Sequence, residues 1–326
     1  MNLTKLYLAP MAGAADSAMR LMCFDHGADM CTTEMISAAA VKYGDKKTFR
    51  LAAIDEREGV CALQVFGHDP GVIAYAIKAL YDNAKVKPAA FDINMGCPVK
   101  KVVSNGDGSA LMRDPLLAAN IMEAAVKASP VPVTVKMRLG WDREHINCAE
   151  LCRIAGECGV SSVCVHGRTS RDMYAPGTVD INAIAEARAA ARIPFTANGD
   201  ITDVESAEKM LSATGADALM IGRAALGDPF VFEMIRAGLG GLPYTPPTVH
   251  ERLFAAKRHL LLMVGLKGER TGVCEGRKHA AWYTKGMTGS AALRRRMNSA
   301  SSTAEMINIL EEIEKVQNYD GTTDPY

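Results

Sequence analysis

The chain has 326 residues, 48% hydrophobic and 23% charged, with 37 Lys and Arg balanced by 37 Asp and Glu. That composition excludes disorder and fibrous architecture and leaves an ordinary globular protein of one large unit or about two. No apolar run approaches the ~18 residues of a membrane span, and the first ten residues have no signal-peptide layout, so a cytoplasmic protein without a membrane partner is expected. Nine cysteines, odd in number and irregular in spacing, suit reduced thiols. No Cys-x-x-Cys pair occurs, so no metal site is expected.

In chain order, eight β-rich runs recur: 6–10, 30–36, 61–67, 91–98, 133–139, 162–169, 194–200 and 218–224. Helical spacing lies between several of them, at 71–84, 114–128, 180–191 and 204–212, and Cys148, Cys152 and Cys158 sit in a further helical stretch. Asp114-Pro115 and Thr202-Asp203 carry helix-start signals. Strand–helix alternation over so long a stretch predicts a parallel α/β fold, and eight units point to a (β/α)8 TIM barrel. An open doubly wound sheet is the alternative, but no Gly-x-Gly-x-x-Gly follows the first run.

Each run is apolar until its last residues, which then offer a chemically capable group: Pro10-Met11, Glu34, Gln64, Asn94 with Cys97, Lys136, His166, Asn198 and Arg223. Such groups at successive C-terminal strand ends suit the rim where a barrel's βα loops converge. The alternation stops near residue 240. A breaker-rich Gly240–Pro247 stretch follows, then amphipathic spacing at 250–266 and 302–316 with shorter helical pieces at 275–283 and 291–298. The expected division is a barrel at 1–240 and a small all-helical domain at 241–326. Within the latter, residues 250–296 hold eleven Lys or Arg against three Asp or Glu, and 297–326 hold one against six.

Asn198-Gly199-Asp200 and Gly222-Arg223 end the last two runs. Glycines there let backbone N–H groups approach an anion, and an arginine supplies a fork for phosphate, although two glycines could simply end two strands. Lys136, in an apolar strand, must meet an anion or lose its charge. His166 taken singly reads more often as a satisfied core residue; beside Lys136 on the next strand it reads as part of a site. Asn94-Met95-Gly96-Cys97-Pro98 puts one thiol on a fixed turn after the fourth run, facing the mouth. The other cysteines read as small hydrophobes. The loop Asn105–Ser109 is not a dinucleotide fingerprint, because Leu111 stands where a third glycine would be.

Several of these segments resemble the tRNA-dihydrouridine synthases: Ala9–Gly13, Thr33-Glu34-Met35, Gln64–Gly67, Asn94–Lys101, Gly108–Leu111, Lys136-Met137-Arg138, Val165–Thr169, Asn198–Ile201 and Gly222-Arg223-Ala224. The Cys-Pro-Val-Lys-Lys-Val run is most similar to the bacterial B-type subclass. The resemblance implies a flavin barrel with a helical tRNA-binding domain, FMN as cofactor, and NADPH or NADH as reductant. It further implies flavin contacts from Pro10, Met11, Ala12, Gln64, Lys136, His166, Asn198, Gly199, Asp200, Gly222 and Arg223, with Cys97 as proton donor. Substrate contacts are expected from Asn94, Arg168, Arg294 and Arg295, on a chain working as a monomer. Two positions depart from the pattern: Ser170 stands where a second basic residue often follows Arg-Thr, with Arg171 one place later, and Asp107 lies in a loop usually more glycine-like.

The chemistry suits these residues independently. Saturating the C5–C6 bond of uracil needs a hydride at C6 and a proton at C5, and a thiol can supply the proton. Two other readings stay open: a free-pyrimidine or dihydroorotate-type flavin reductase, and a non-catalytic RNA-binding barrel. Arg277, Lys278, Lys285, Arg294, Arg295 and Arg296, interleaved with Trp282 and Tyr283, read either as a solvated face or as an RNA surface.

Overall fold

The computed structural model describes residues 4–319. The first three residues and the last seven, including Asp320 and Asp324 of the acidic tail, lie outside the described residues. Among the described residues nine parallel strands form one sheet: β1 (Lys5–Leu8), β2 (Met30–Thr32), β3 (Ile36–Ser37), β4 (Cys61–Phe66), β5 (Ala90–Met95), β6 (Val133–Arg138), β7 (Ser162–His166), β8 (Phe195–Asn198) and β9 (Ala218–Ile221). Their order is β2-β1-β9-β8-β7-β6-β5-β4-β3, and β2 also pairs with β4, which closes the ring.

Both β2 and β3 lie on β4, with Cys31 opposite Cys61 and Ile36 opposite Val65, so together they make one stave of an eight-stave barrel. The expected single run 30–36 is therefore broken. Thr33 stays tied to β4 through its N–H on the Ala62 carbonyl (2.9 Å) and its hydroxyl on the Gln64 N–H (3.0 Å). Glu34, at the break, turns its carboxylate to the Gly13 N–H.

The strands alternate strictly. Leu6, Leu8, Leu63, Val65, Phe91, Ile93, Val133, Val135, Val163, Val165, Phe195, Ala197, Leu219 and Ile221 pack outward against the helices in the main core. The alternate residues Tyr7, Ala9, Cys164 and Met220 make a small separate cluster inside the ring. Gln64, Asp92, Thr134 and Lys136 share that inner parity, so the interior is polar well below the rim rather than only at its edge. This corrects the reading of runs apolar to their last residues: small inner residues such as Ala9, Cys164 and Thr196 mask the period of two.

The helices are α1 (Ser17–Asp25), α2 (Ala38–Lys42), α3 (Lys46–Leu51), α4 (Pro70–Asn83), α5 (Lys100–Val103), α6 (Pro115–Ala128), α7 (Cys148–Glu157), α8 (Ile181–Ala190), α9 (Val204–Thr214), α10 (Val231–Leu239), α11 (Val249–Lys267), α12 (Glu269–Tyr283), α13 (Ser290–Ser299) and α14 (Thr303–Tyr319). Asp114, Asp180 and Asp203 cap α6, α8 and α9 by accepting a first-turn N–H, contacts each worth about 1 kcal/mol. Among the elements missed in sequence, α2, α3 and α5 are too short to show a period, and their register is set by the barrel. The helical piece expected at 275–283 starts earlier, at Glu269, because Gly272 and Gly276 are not breakers here. A Cβ at Gly272 would lie 2.6 Å from the Val264 backbone, and one at Gly276 would lie 2.8 Å from Leu260. Both glycines let α12 lie close against α11.

Helices α11–α14 enclose their own apolar cluster around Leu253, Leu260, Val273, Tyr283, Met306 and Ile313, joined by Met22 of α1 and Phe230 beside α10. The helical unit is also tied to the barrel by polar contacts. Lys267 pairs with Asp16, and Lys278 donates to the Gly13 carbonyl on the loop after β1.

Candidate active site

The loop after β5 is held from every side. Asn94 Oδ1 accepts the N–H groups of Gly96 (3.2 Å) and Cys97 (3.0 Å), and Arg138 Nε donates to the Gly96 carbonyl (2.8 Å). The Cys97 carbonyl accepts both the N–H (3.0 Å) and the hydroxyl (2.9 Å) of Ser109. Gly108 has φ +60°, and a Cβ there would lie 2.7 Å from the Cys97 carbonyl oxygen, so only glycine lets this closure form. The Cys97 side chain is left half-buried. Burial raises its thiol pKa, outweighing the opposite pull of the Val99 backbone and Arg138. The group therefore keeps its proton at neutral pH, as an acid must.

Below this loop runs an amide–carboxyl ladder. Asn94 Nδ2 donates to Gln64 Oε1 (2.8 Å), Gln64 Nε2 donates to Asp92 Oδ2 (2.7 Å), and the Thr134 hydroxyl donates to Asp92 Oδ1 (2.6 Å). Burial raises the Asp92 carboxyl in spite of those donors. Across from it, Lys136 Nζ donates to Asn198 Oδ1 (3.0 Å), and Asn198 in turn donates to the Met220 carbonyl (2.7 Å). Burial lowers the Lys136 ammonium, partly offset by Cys164 and Asp92. Among the described residues Lys136 makes no ion pair. A cation with only an amide for company, open to the barrel mouth, fits an anionic ring edge arriving from outside.

His166 is neutral. Burial first, then the cations Lys136, Arg138, Arg168 and Arg223, push it well below the ordinary imidazole range, and its Nε2 faces Arg168 Nη1 at 3.2 Å. Arg168 is completely buried and forks onto Asp200, with further bonds to the Ala175 carbonyl and the Thr178 hydroxyl (2.9 Å). With its guanidinium so committed, Arg168, expected from the sequence to touch substrate, braces the rim. Arg223, more than half exposed, donates to the same Asp200 carboxylate (2.7 Å). Burial alone would raise Asp200, but Arg168 and Arg223 hold it below the usual carboxylate range. Asp200 has φ +47° and Gly199 φ +145°, so the loop after β8 begins in positive-φ backbone.

On the loop after β1, the Met11 carbonyl accepts the N–H groups of Ala14 and Ala15, leaving Ala12 and Gly13 exposed. Pro10 and Met11 are partly exposed on the same turn. Gly222 after β9 keeps ordinary contact room, its virtual Cβ 3.7 Å from Ala9. The flavin-contact residues named from sequence thus come together around one mouth.

The basic residues of the helical unit separate into two kinds. Arg277 donates twice to the Ala300 carbonyl (3.0 and 2.7 Å), Lys278 reaches Gly13, and Arg296 pairs with Glu312. Lys285 and Arg295 are exposed, while Arg294 is partly buried and leans on the Thr284 carbonyl (3.4 Å). Tyr283 is fully buried near His259, so it is not a free stacking surface. Sequence reasoning named Arg138 and Ser109 only inside longer segments, without giving them a role, and it passed over Asp92. Arg138 and Asp92 could have been singled out by counting in twos from Lys136 and Asn94 along their strands; the role of Ser109 depends on a contact with Cys97 that only the fold supplies.

The chain matches the family model described as dihydrouridine synthase over residues 7–319. It is 39% identical over 308 residues to tRNA-dihydrouridine synthase B of Proteus vulgaris, covering 94% of each protein. It is 40% identical over 300 residues to the protein of the same name from Xanthomonas campestris pv. campestris, covering 91% of this chain and 89% of the other. Among solved structures, histamine dehydrogenase from Rhizobium sp. 4-9 superposes with a TM-score of 0.57 at 11% identity, over 96% of this chain and 62% of that one. A variant of NCR from Zymomonas mobilis gives 0.50 at 14% identity, over 76% and 90%. At such identities the two structures speak for the barrel fold alone.

Proposed function

This chain belongs to the dihydrouridine synthase family and forms dihydrouridine in tRNA, and from that premise we propose that it reduces D-loop uridines with FMN as cofactor and NADPH or NADH as reductant. The observation that carries the reading is the Cys97 thiol, protonated and braced by Asn94, Arg138 and Ser109 at the mouth of the barrel.

The residues fit a flavin. Among the described residues Lys136 makes no ion pair, neutral His166 stands beside it, and the last two strand ends offer glycines next to Arg223. Pro10, Met11, Ala12, Gln64, Lys136, His166, Asn198, Gly199, Asp200, Gly222 and Arg223 would hold it. Asp200 would do so through its backbone, since its carboxylate is occupied by two arginines. When bound, the flavin, recharged by the nicotinamide, supplies the hydride for C6 of the uracil. Cys97 gives its proton to C5. Lys136 stabilises negative charge at the ring edge beneath the mouth. Arg138 and Asn94 keep the cysteine loop from moving while the proton passes. Such a base must be swung out of the RNA to reach the mouth. We assign residues 1–240 to this chemistry and 241–326, through Arg294 and Arg295, to holding the tRNA. A free small substrate would need no basic helical unit.

The test is direct: purified protein with FMN, NADPH and unmodified tRNA forms dihydrouridine. Cys97→Ala still binds and reduces flavin, yet reoxidises it with tRNA about 10²–10⁴-fold more slowly. Because burial raises the thiol pKa, the wild-type step persists above the ordinary thiol range and fails only at higher pH. Wild-type reoxidation by the alanine variant refutes the assignment.

A further inference from the structure

Three loops of the active rim, those after β5, β6 and β7, converge on Trp141. The guanidinium carbons of Arg113 and Arg171 lie 4.9 and 5.0 Å from its ring centroid. Arg113 ends the short 3-10 helix Gly108–Arg113, whose Ser109 holds the Cys97 carbonyl. Arg171 follows Ser170, which is buried and hydrogen-bonded to Ser109 at 2.7 Å.

The platform is rigid. Ser170 N–H donates to the Gly140 carbonyl (2.9 Å), Arg171 N–H to the Trp141 carbonyl (3.1 Å), and Trp141 N–H to the His145 carbonyl (3.2 Å). A Cβ at Gly140 would lie 2.0 Å from the His145 oxygen, so this turn closes only on glycine. Both arginines are exposed, and neither has a carboxylate partner among the described residues. The nearby acids are engaged: Asp172 with Thr169 and Arg143, and Asp142 with His145. Glu144 is the exposed carboxylate of the same turn.

An indole attracts each guanidinium, yet two like charges drawn to one ring repel each other. Anionic groups met by the two guanidinium groups offset that repulsion and find two forks already ordered on the ring, with little side-chain entropy left to lose. In the ring order, β6 stands across the barrel from β1, whose loop carries the Lys278 contact of the helical unit. The mouth thus has basic groups on opposite sides.

We propose that Arg113 and Arg171, ordered on Trp141, form a phosphate clamp that grips the tRNA backbone on the rim opposite the helical unit. This rests on the tRNA reading above. Phosphate contacts of this kind position the RNA without reading its sequence.

Filter binding of tRNA at several salt concentrations decides it, using the flavin-loaded full chain and flavin content as the folding check. Arg113→Gln with Arg171→Gln binds about tenfold more weakly near 0.1 M salt, with a salt slope shallower by about two. Trp141→Leu keeps both charges, so it weakens binding with the slope retained. Wild-type affinity and slope in the double glutamine variant overturn the clamp while leaving tRNA binding intact. Failure of the wild type itself to bind tRNA refutes the tRNA reading, and the clamp with it.

Discussion

The side-chain oxygen of Asn94 accepts the backbone N–H of Cys97 at 3.0 Å, and its amide nitrogen is spent on Gln64. Sequence reasoning gave Asn94 a contact with the uracil; the structure gives it first the task of shaping the cysteine loop. Asn94→Ala leaves Gln64 Oε1 and two loop N–H groups without partners in buried ground. Stability should fall by roughly 1–3 kcal/mol, read by urea unfolding, together with a slower proton step. A raised KM with an unchanged unfolding midpoint would instead make Asn94 a substrate contact.

Arg223 and Arg168 share Asp200, but they differ in exposure. Arg223 is largely solvated, so its ion pair contributes little to folding, and Arg168 alone keeps the carboxylate satisfied. Arg223→Ala should therefore leave the unfolding midpoint nearly unmoved while weakening FMN retention by about 1.5–3 kcal/mol. Fluorescence titration with flavin measures this; unaltered retention removes Arg223 from the phosphate corner.

His259 and His279 pack with ring centroids 4.4 Å apart and planes tilted by 58° in the core of the helical unit. Burial holds His259 down to about 4 and His279 down to about 2, and the nearby cations Lys267 and, for His279, Lys278 add to this against the opposing pull of Asp16. Both are neutral when folded and take up protons near 6.5 when unfolded. Their contribution to stability is thus intact above that pH and is lost as pH falls below it. Between pH 7 and 5 each should cost about 2 kcal/mol. Among the described residues neither ring nitrogen of His279 has a hydrogen-bond partner, so His279→Leu should be tolerated at pH 7 and should remove about half of the acid loss. An undiminished loss in denaturant titrations at the two pH values excludes the pair as its source.

Two arginines of the helical unit should fail differently. Arg277 closes the end of α13 through Ala300, so Arg277→Ala should lower stability by about 1.5–3 kcal/mol and leave the salt slope of tRNA binding alone. Arg295 is exposed, so Arg295→Glu should spare stability but weaken tRNA binding and flatten the slope. Thermal melts beside filter binding distinguish them, and the reverse pattern would exchange their roles.

How much was legible follows from what each signal depends on. Strand–helix alternation and the residues at strand ends are local in sequence, so the barrel, Cys97, Lys136, His166 and the glycine corner could be read without coordinates. A helix cap is equally local, which is why Asp114, Asp180 and Asp203 begin their helices where expected. What the sequence could not decide is where each charge is spent. Arg168 and Arg223 look alike in the chain, yet one is sealed against Asp200 and the other faces solvent. Arg277 and Arg295 both belong to one basic block, yet one caps a helix. Arg113, Trp141 and Arg171 lie on three separate loops, and only closure of the ring brings them together. Local pattern determines the elements because periodicity and capping act within a few residues. Pairing of charges and the burial that shifts a pKa depend on neighbours remote in the chain, which the tertiary fold alone supplies.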